Sequence, residues 1–377
     1  MTADQGPARA LGSCDVPVQR LRASAYRVPT DGPEADGTIA WDSTTLVLVE
    51  AGAGDRFGIG WTYAPAATAD LVEEVLAGAV VGHSALDVPA VHEQMRRSLR
   101  NAGLPGVAAE ALSAVDVALW DLKARLLELP LHRLLGAFRD AVPVYGSGGF
   151  TTYSERRQAD QLEGWVAQGI PRVKIKVGED WGRRTDRYAA RVRAARAVVG
   201  PSVELYVDAN GAYTPAQAVR WLRGLADADV RWFEEPVSSD DLTGLRRVRD
   251  AVEADVAAGE YVYGPDGAAR LLGAGAVDCL QADATRCGGI TGWLRVAALA
   301  DAAHVDVSAH CAPHLHAAVA ASVPRLRHLE WFHDHVRIAE MLLDGVAPAT
   351  DGLLRLGDAP GHGMSWRTAD ADAYRVR

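Results

Sequence analysis

Six ionisable side chains recur along the second half of the chain at nearly even steps. Asp208, Glu234, Glu260, Asp283, His310 and Glu330 are separated by 26, 26, 23, 27 and 20 residues. Each ends a short apolar run, as in "VELYVD", "RWFEE", "DVAAGE", "VDCLQAD", "VDVSAH" and "RHLEWF". Three carboxylates brought together raise one another's pKa and repel unless a cation lies between them. Asp208, Glu234 and Glu260 therefore imply a divalent metal, and an all-oxygen donor set that leaves positions open for substrate suits Mg²⁺.

Upstream, "RVKIKV" sets Lys174 and Lys176 two residues apart, on one face of a strand. Of 39 basic side chains only Lys123, Lys174 and Lys176 are lysine, so two of the three stand here. Arginine stays protonated above about pH 12, whereas lysine beside another cation can lose its proton and act as a base. On this reading Lys174 and Mg²⁺ bring Lys176 from about 10.4 toward about 7.5. His310, its tautomer set by Asp283, supplies a second base on the facing wall.

A charged residue after one strand is ordinarily a loop polar or a helix cap; six in succession argue for a shared cavity. "HCAPHLH" offers a competing zinc cluster of His310, His314 and His316. Pro313 interrupts the helix that would align them, and no cysteine or acid at zinc spacing completes the set. His314 and His316 read instead as helix or loop polars, and "HDH" at 333–335 as a solvated loop.

These residues need elements to position them. Eight strand-like runs, at 142–146, 172–177, 203–208, 231–235, 255–260, 277–283, 305–310 and 327–332, alternate with helix-compatible segments such as "TPAQAVRWLRGLAD". Eight such units predict a closed parallel barrel with its active site at the C-terminal strand ends. An open doubly wound sheet is the alternative, but no GxGxxG follows a first strand, and neither a Walker A sequence nor a GxSxG elbow occurs. Residues 16–140 read as an α+β unit, three strands and then helices, with "TDGPEADGTIAWD" a flexible loop between the first two strands.

A net charge of −10 argues against nucleic acid and anionic membranes as partners and points to a small molecule. The four cysteines show no CxxC spacing, residues 1–15 lack an apolar signal core, and no run of about 18 apolar residues occurs. The expectation is a cytoplasmic protein with reduced thiols and a frayed N-terminus over 1–15.

Together, "VKIKV", "VDANG", "WFEEP", "AGE", "QADATRCGGITGW", "SAH" and "LEW", in this order, resemble the enolase superfamily and within it the mandelate racemase group. The likeness spans nearly the whole chain. It implies a modified (β/α)₇β barrel over 141–345, an N-terminal capping domain over 16–140, and a C-terminal segment, 346–377, that returns to the cap. It also implies one Mg²⁺ on Asp208, Glu234 and Glu260, with Asn210 and Glu235 beside them, and a homo-oligomer. A carboxylate substrate would lose its α-proton to give an enediolate, stabilised by the metal, by Lys174 and by a protonated Glu330. Superfamily sites with a Lys or His base and metal stabilisation are a standard example of pKa tuning.

Two bases on opposite faces allow dehydration of a sugar acid to a 2-keto-3-deoxy acid, the preferred reading, or epimerisation of a 2-hydroxy acid. A muconate-lactonizing activity is disfavoured, because relatives of that kind carry lysine where Asp283 stands. A catalytically silent binding protein is the remaining possibility, and no ligand or base is missing to support it. Specificity is expected from the capping loops at 28–41 and 61–66, with Thr30, Asp31, Glu34 and Trp61 as candidate substrate neighbours. Lys174→Arg is expected to be tolerated better than Lys176→Arg.

Overall fold

The computed structural model describes residues 16–377; the frayed N-terminus expected for 1–15, with Cys14, lies outside that range. Apolar residues at alternate positions of β1 (Arg20–Ala35), β2 (Ala40–Ala53) and β3 (Arg56–Tyr63) build an antiparallel sheet in the order β1-β2-β3. Val47, Val49 and Ala51 of β2 bury against Leu112, Val115, Leu119 and Leu122 of the helix Val107–Leu126. The approach is close because Gly58 and Gly60 carry no side chain. A Cβ on Gly60 would lie 2.3 Å from the Ala114 carbonyl oxygen and 2.5 Å from the Ala118 nitrogen. Gly60→Ala is therefore expected to destabilise the chain by about 2–3 kcal/mol, seen as a lower urea midpoint with an unchanged m-value.

The segment expected as a flexible loop is mostly strand. β1 runs on to Ala35 and pairs Glu34 with Trp41 after a register skip between Pro29 and Glu34. Bulged strands lose the period of two, which hides them from pattern reading. The Asp36 carboxylate then closes the turn by accepting the N–H groups of Thr38 and Ile39, at 2.6 and 2.9 Å.

Eight parallel strands follow: β4 (Ala141–Gly148), β5 (Arg172–Lys176), β6 (Glu204–Asp208), β7 (Val230–Glu234), β8 (Asp255–Ala258), β9 (Cys279–Ala282), β10 (Asp306–Ala309) and β11 (Leu326–Phe332). Each pairs with its predecessor, and β11 returns to β4 through Glu330 opposite Tyr145, closing the barrel. All eight expected strands are present. Helices between them start at legible caps: Ser154 accepts from Arg157 N, Thr214 precedes Pro215, and Asp241 accepts from Gly244 N. Outward residues such as Val173, Ile175, Leu205, Val207 and Phe233 belong to the large core between strands and helices. Tyr145, Tyr206, Trp232, Ala257 and Cys279 form a separate cluster inside the barrel.

The helix His333–Leu342 follows β11 and is tied to the cap, for Asp334 accepts from Thr44 and Arg337 donates to the Pro29 carbonyl at 2.7 Å. "HDH" is thus not a solvated loop, and Asp334 and His335 are buried. The last segment serves both parts of the molecule. Leu353–Arg355 pairs antiparallel with β4, while His362 reaches the Ile59 carbonyl and Val376 pairs with Ala25 of the cap. Cys279, Cys287 and Cys311 are buried and free, and no helix among the described residues is long and apolar enough to cross a membrane.

Candidate active site

Strand register does most of the assembly. Lys176 on β5 lies opposite Asp208 on β6, and Asp208 opposite Glu234 on β7, so three consecutive strands end in one row of charge. Gly259, at a φ of +136°, turns the chain after β8 and brings in Glu260. Carboxylate oxygens of Asp208, Glu234 and Glu260 all fall within 4.8 Å of one another, and all three residues are buried. Among the described residues, one oxygen of Glu260 and the side-chain oxygen of Asn210 have no hydrogen-bond partner. Three buried carboxylates in this arrangement, with acceptor capacity left over, fit a hard divalent cation. Glu235, also buried, adds an unpartnered oxygen beside Glu260.

The two lysines sit among these acids. Lys174, fully buried, contacts Glu234, lies 2.8 Å from Glu330 and 3.6 Å from Asp208, and donates to the Tyr145 hydroxyl at 3.4 Å. Lys176 contacts Asp208. Burial alone would lower both lysine pKa values, but the acids outweigh it: Glu234 and Glu330 hold Lys174 well above the ordinary range, and Asp208 does the same for Lys176. The lowered Lys176 pKa expected from the paired lysines is therefore not found in the protein alone, where carboxylates surround both ammonium groups. Burial and the charge of Asp208 push Glu234 up to about 8, while Asp208, although buried, is pulled below its usual range by Lys176 and Lys174.

Glu330 also departs from expectation. It accepts from the Ser147 hydroxyl at 2.6 Å and from the Cys311 N–H at 2.8 Å. Despite burial, Lys174 holds its pKa well below the carboxylate range, in the direction opposite to the protonated donor that the resemblance implies. Lys174 is fully buried, so the larger guanidinium of Lys174→Arg would have to be accommodated within this enclosure.

On the other wall, His310 Nδ1 lies 2.8 Å from Asp283 Oδ2. Its Nε2 lies 3.3 Å from Cys311 Sγ, 3.6 Å from Glu260 and 3.9 Å from Glu330. Burial opposes the imidazolium, but Glu260 and Asp283 raise the His310 pKa overall; Asp283 is held down, against its burial, by His310. The zinc cluster does not assemble. Among the described residues no group of potential ligands unites His310, His314 and His316; in the helix Pro313–Ala321, His316 Nε2 accepts the Ala284 N–H at 2.7 Å and His314 Nε2 bonds to the Ala347 carbonyl.

The cap closes the site from above. Ala35 O accepts from Thr151 N at 2.8 Å, and a Cβ on Gly37 would lie 2.8 Å from the Val177 and Ala209 carbonyl oxygens. Trp41 packs edge-on to Phe150, which shares a cluster with Tyr153, Cys311 and Phe332 next to His310. Asp31 is committed to Arg157 at 2.6 Å and His333 at 3.0 Å, a bond between cap and barrel. Thr30 and Trp61 hydrogen-bond to none of the site's groups. Thr30 lies half-buried at the register skip, and Trp61 is buried edge-on to His362, 5.7 Å away.

Glu34, wholly buried, accepts from Trp41 Nε1 at 2.8 Å, and its other oxygen is unpartnered. Burial, reinforced by Asp334, pushes its carboxyl up to about 8 from 4.5. The folded chain holds this proton more tightly than the unfolded chain, so the stabilisation is complete below about pH 4 and is lost as pH rises toward 8. Glu34→Gln is expected to flatten that loss, gaining on the order of 2 kcal/mol on the wild type between pH 5 and pH 8.5 in urea titrations.

Sequence reading missed Ser147, Cys311 and Arg286. Arg286 lies 3.5 Å from Glu260 and 3.7 Å from Asp283, joining the metal candidates to the histidine dyad. Ser147 was legible in principle, since it shares the inward parity of Tyr145 on β4. Cys311 was not, because it acts through its backbone N–H at a φ of +50°.

The arrangement defines a capped eight-stranded barrel with an acid triad, a lysine pair and a His-Asp dyad at its C-terminal mouth. Residues 34–136 match the mandelate racemase / muconate lactonizing enzyme N-terminal domain, and residues 157–371 match the enolase C-terminal domain-like family. The chain belongs to the enolase superfamily, in its mandelate racemase group. Among curated relatives, a 3,6-anhydro-α-L-galactonate cycloisomerase of Streptomyces coelicolor is 33% identical, over 92% of this chain and 96% of its own length. An L-talarate/galactarate dehydratase of Salmonella typhimurium is 29% identical, over 85% and 80% of the two chains, and an L-Ala-D/L-Glu epimerase of Bacillus subtilis 31%, over 76% and 77%. A solved mandelate racemase/muconate lactonizing enzyme-like protein from Rubrobacter xylanophilus is 51% identical, with a TM-score of 0.92 over 96% of this chain and 100% of its own. A racemase from Streptomyces coelicolor, solved with bound magnesium, is 32% identical, with a TM-score of 0.90 over 95% and 100%.

Proposed function

We propose that this protein abstracts the proton α to a carboxylate and dehydrates a sugar acid, an aldonate or aldarate, to a 2-keto-3-deoxy acid. The observation that carries the reading is the placement of Lys176 and the His310–Asp283 dyad on either side of the Asp208, Glu234 and Glu260 triad. Mg²⁺ on that triad would supply Lewis-acid stabilisation of the charge that builds on the substrate carboxylate.

The remaining steps fall to side chains. Lys176, which contacts Asp208 at the edge of the triad, is the group placed to accept the α-proton, and a divalent cation held by the triad would offset the carboxylate charge that keeps its amine protonated. Lys174 stays cationic and meets the substrate carboxylate as the enediolate forms. His310, protonated at Nε2, gives its proton to the β-hydroxyl, the C–O bond breaks, and water leaves; the resulting enol tautomerises to the keto acid. Relatives acting on galactarate and anhydrogalactonate support a polyhydroxy acid.

The second reading is epimerisation of a 2-hydroxy acid, with His310 returning a proton to the opposite face. The apolar wall of Trp41, Phe150 and Phe332 beside Cys311 favours it, because such a wall accepts an apolar substituent better than a polyol. Epimerase and racemase relatives are consistent with it.

Chelation tests the metal requirement. Stripping with EDTA is expected to abolish turnover, and Mg²⁺ to restore it better than Zn²⁺. Full activity in the presence of chelator would remove the metal from the account.

A further inference from the structure

Trp232 stands two residues before Glu234 on β7, so both side chains enter the barrel. Its indole N–H donates to Glu234 Oε2 at 2.8 Å, while Oε1 meets Lys174. No other hydrogen-bond donor reaches Oε2 among the described residues. The indole is 1% exposed and tightly held. Tyr206 stacks on it at 5.4 Å, His328 lies at 5.2 Å, and the Arg327 guanidinium sits 5.7 Å from the ring, paired with Asp255. A cavity of about 540 Å³ at the barrel base is lined by Trp232 and Tyr206, so these rings divide that space from the carboxylates above.

We propose that Trp232 is a positioning residue for the metal ligand Glu234. A carboxylate turns freely about its last bond. A fixed donor on Oε2 sets its plane and leaves Oε1, which meets Lys174, as the oxygen available to a cation. The N–H also satisfies one lone pair of a buried anion without adding charge, which a lysine or arginine could not do without competing with the metal. The inference rests on reading Glu234 as a Mg²⁺ ligand. It assigns to an apolar-looking residue of "RWFEE" the support on which that ligand depends.

The test is calorimetric titration of Mg²⁺ into chelator-stripped full-length protein, with no turnover involved. Trp232→Phe keeps an aromatic ring in the stack and removes the donor; it is expected to weaken Mg²⁺ binding at least about tenfold. Tyr206→Phe removes a hydroxyl from the same stack and keeps the indole N–H; its affinity is expected to stay within about twofold of the wild type. If the wild type binds and Trp232→Phe binds equally well, positioning by Trp232 is overturned and the metal reading stands. If both variants weaken alike, the stack matters only as packing, and the proposal is likewise overturned. A wild type that takes up no Mg²⁺ overturns the ligand assignment and this proposal with it. Should Trp232→Phe fail to fold, benzothienylalanine at position 232 keeps the indole's shape without its N–H and is read by the same outcomes.

Discussion

Lys176→Ala is expected to lower turnover by about 10³-fold or more and to stop exchange of the substrate α-proton with solvent. Lys176 borders the metal triad directly, through Asp208, and it is 6% exposed where Lys174 is fully buried. Removing it takes away the base while leaving the Lys174 contacts to Glu234 and Glu330 in place. The fold should survive, as circular dichroism and a cooperative unfolding transition would show. Lys176→Arg should be nearly as inactive, since a guanidinium retains its proton. Rapid α-proton exchange by Lys176→Ala would assign the base elsewhere.

The second large effect is a separation of steps. His310→Asn is expected to reduce keto-acid formation by about 10³-fold while α-proton exchange continues, because Lys176 and the triad remain. Asparagine retains a polar group facing Asp283, so the change is chiefly loss of the acid that protonates the leaving hydroxyl. Loss of both exchange and product formation would mean that His310 acts first, not second.

Much of this is legible in the sequence. The βα period placed Asp208, Glu234, Glu260, Asp283, His310 and Glu330 at strand ends, because a barrel repeats its unit and directs each strand end to one mouth. The parity of "VKIKV" placed both lysines inside. What the period could not carry was charge balance. The pairing in "VKIKV" implies that Lys174 and Mg²⁺ lower the pKa of Lys176, yet each lysine lies against acids from neighbouring strands, and Lys174, 2.8 Å away, holds the Glu330 pKa below the carboxylate range. Those partners depend on register between strands, which no single run of residues encodes. The cap was less legible still. Glu34 lies beyond an irregular skip in β1, and the backbone N–H of Cys311 carries no residue-type signal.

The central claim, Lys176 as base and His310 as acid acting on one substrate from opposite walls, is tested most directly by proton NMR of aldonic and aldaric acids incubated with enzyme and Mg²⁺ in D₂O. The account predicts a 2-keto-3-deoxy acid from the wild type, and from His310→Asn recovered substrate carrying deuterium at the α-carbon with its configuration retained. Inverted, α-deuterated product without water loss would replace the dehydratase by the epimerase. Deuterium exchange that persists when Lys176 and His310 are both replaced would contradict the account itself.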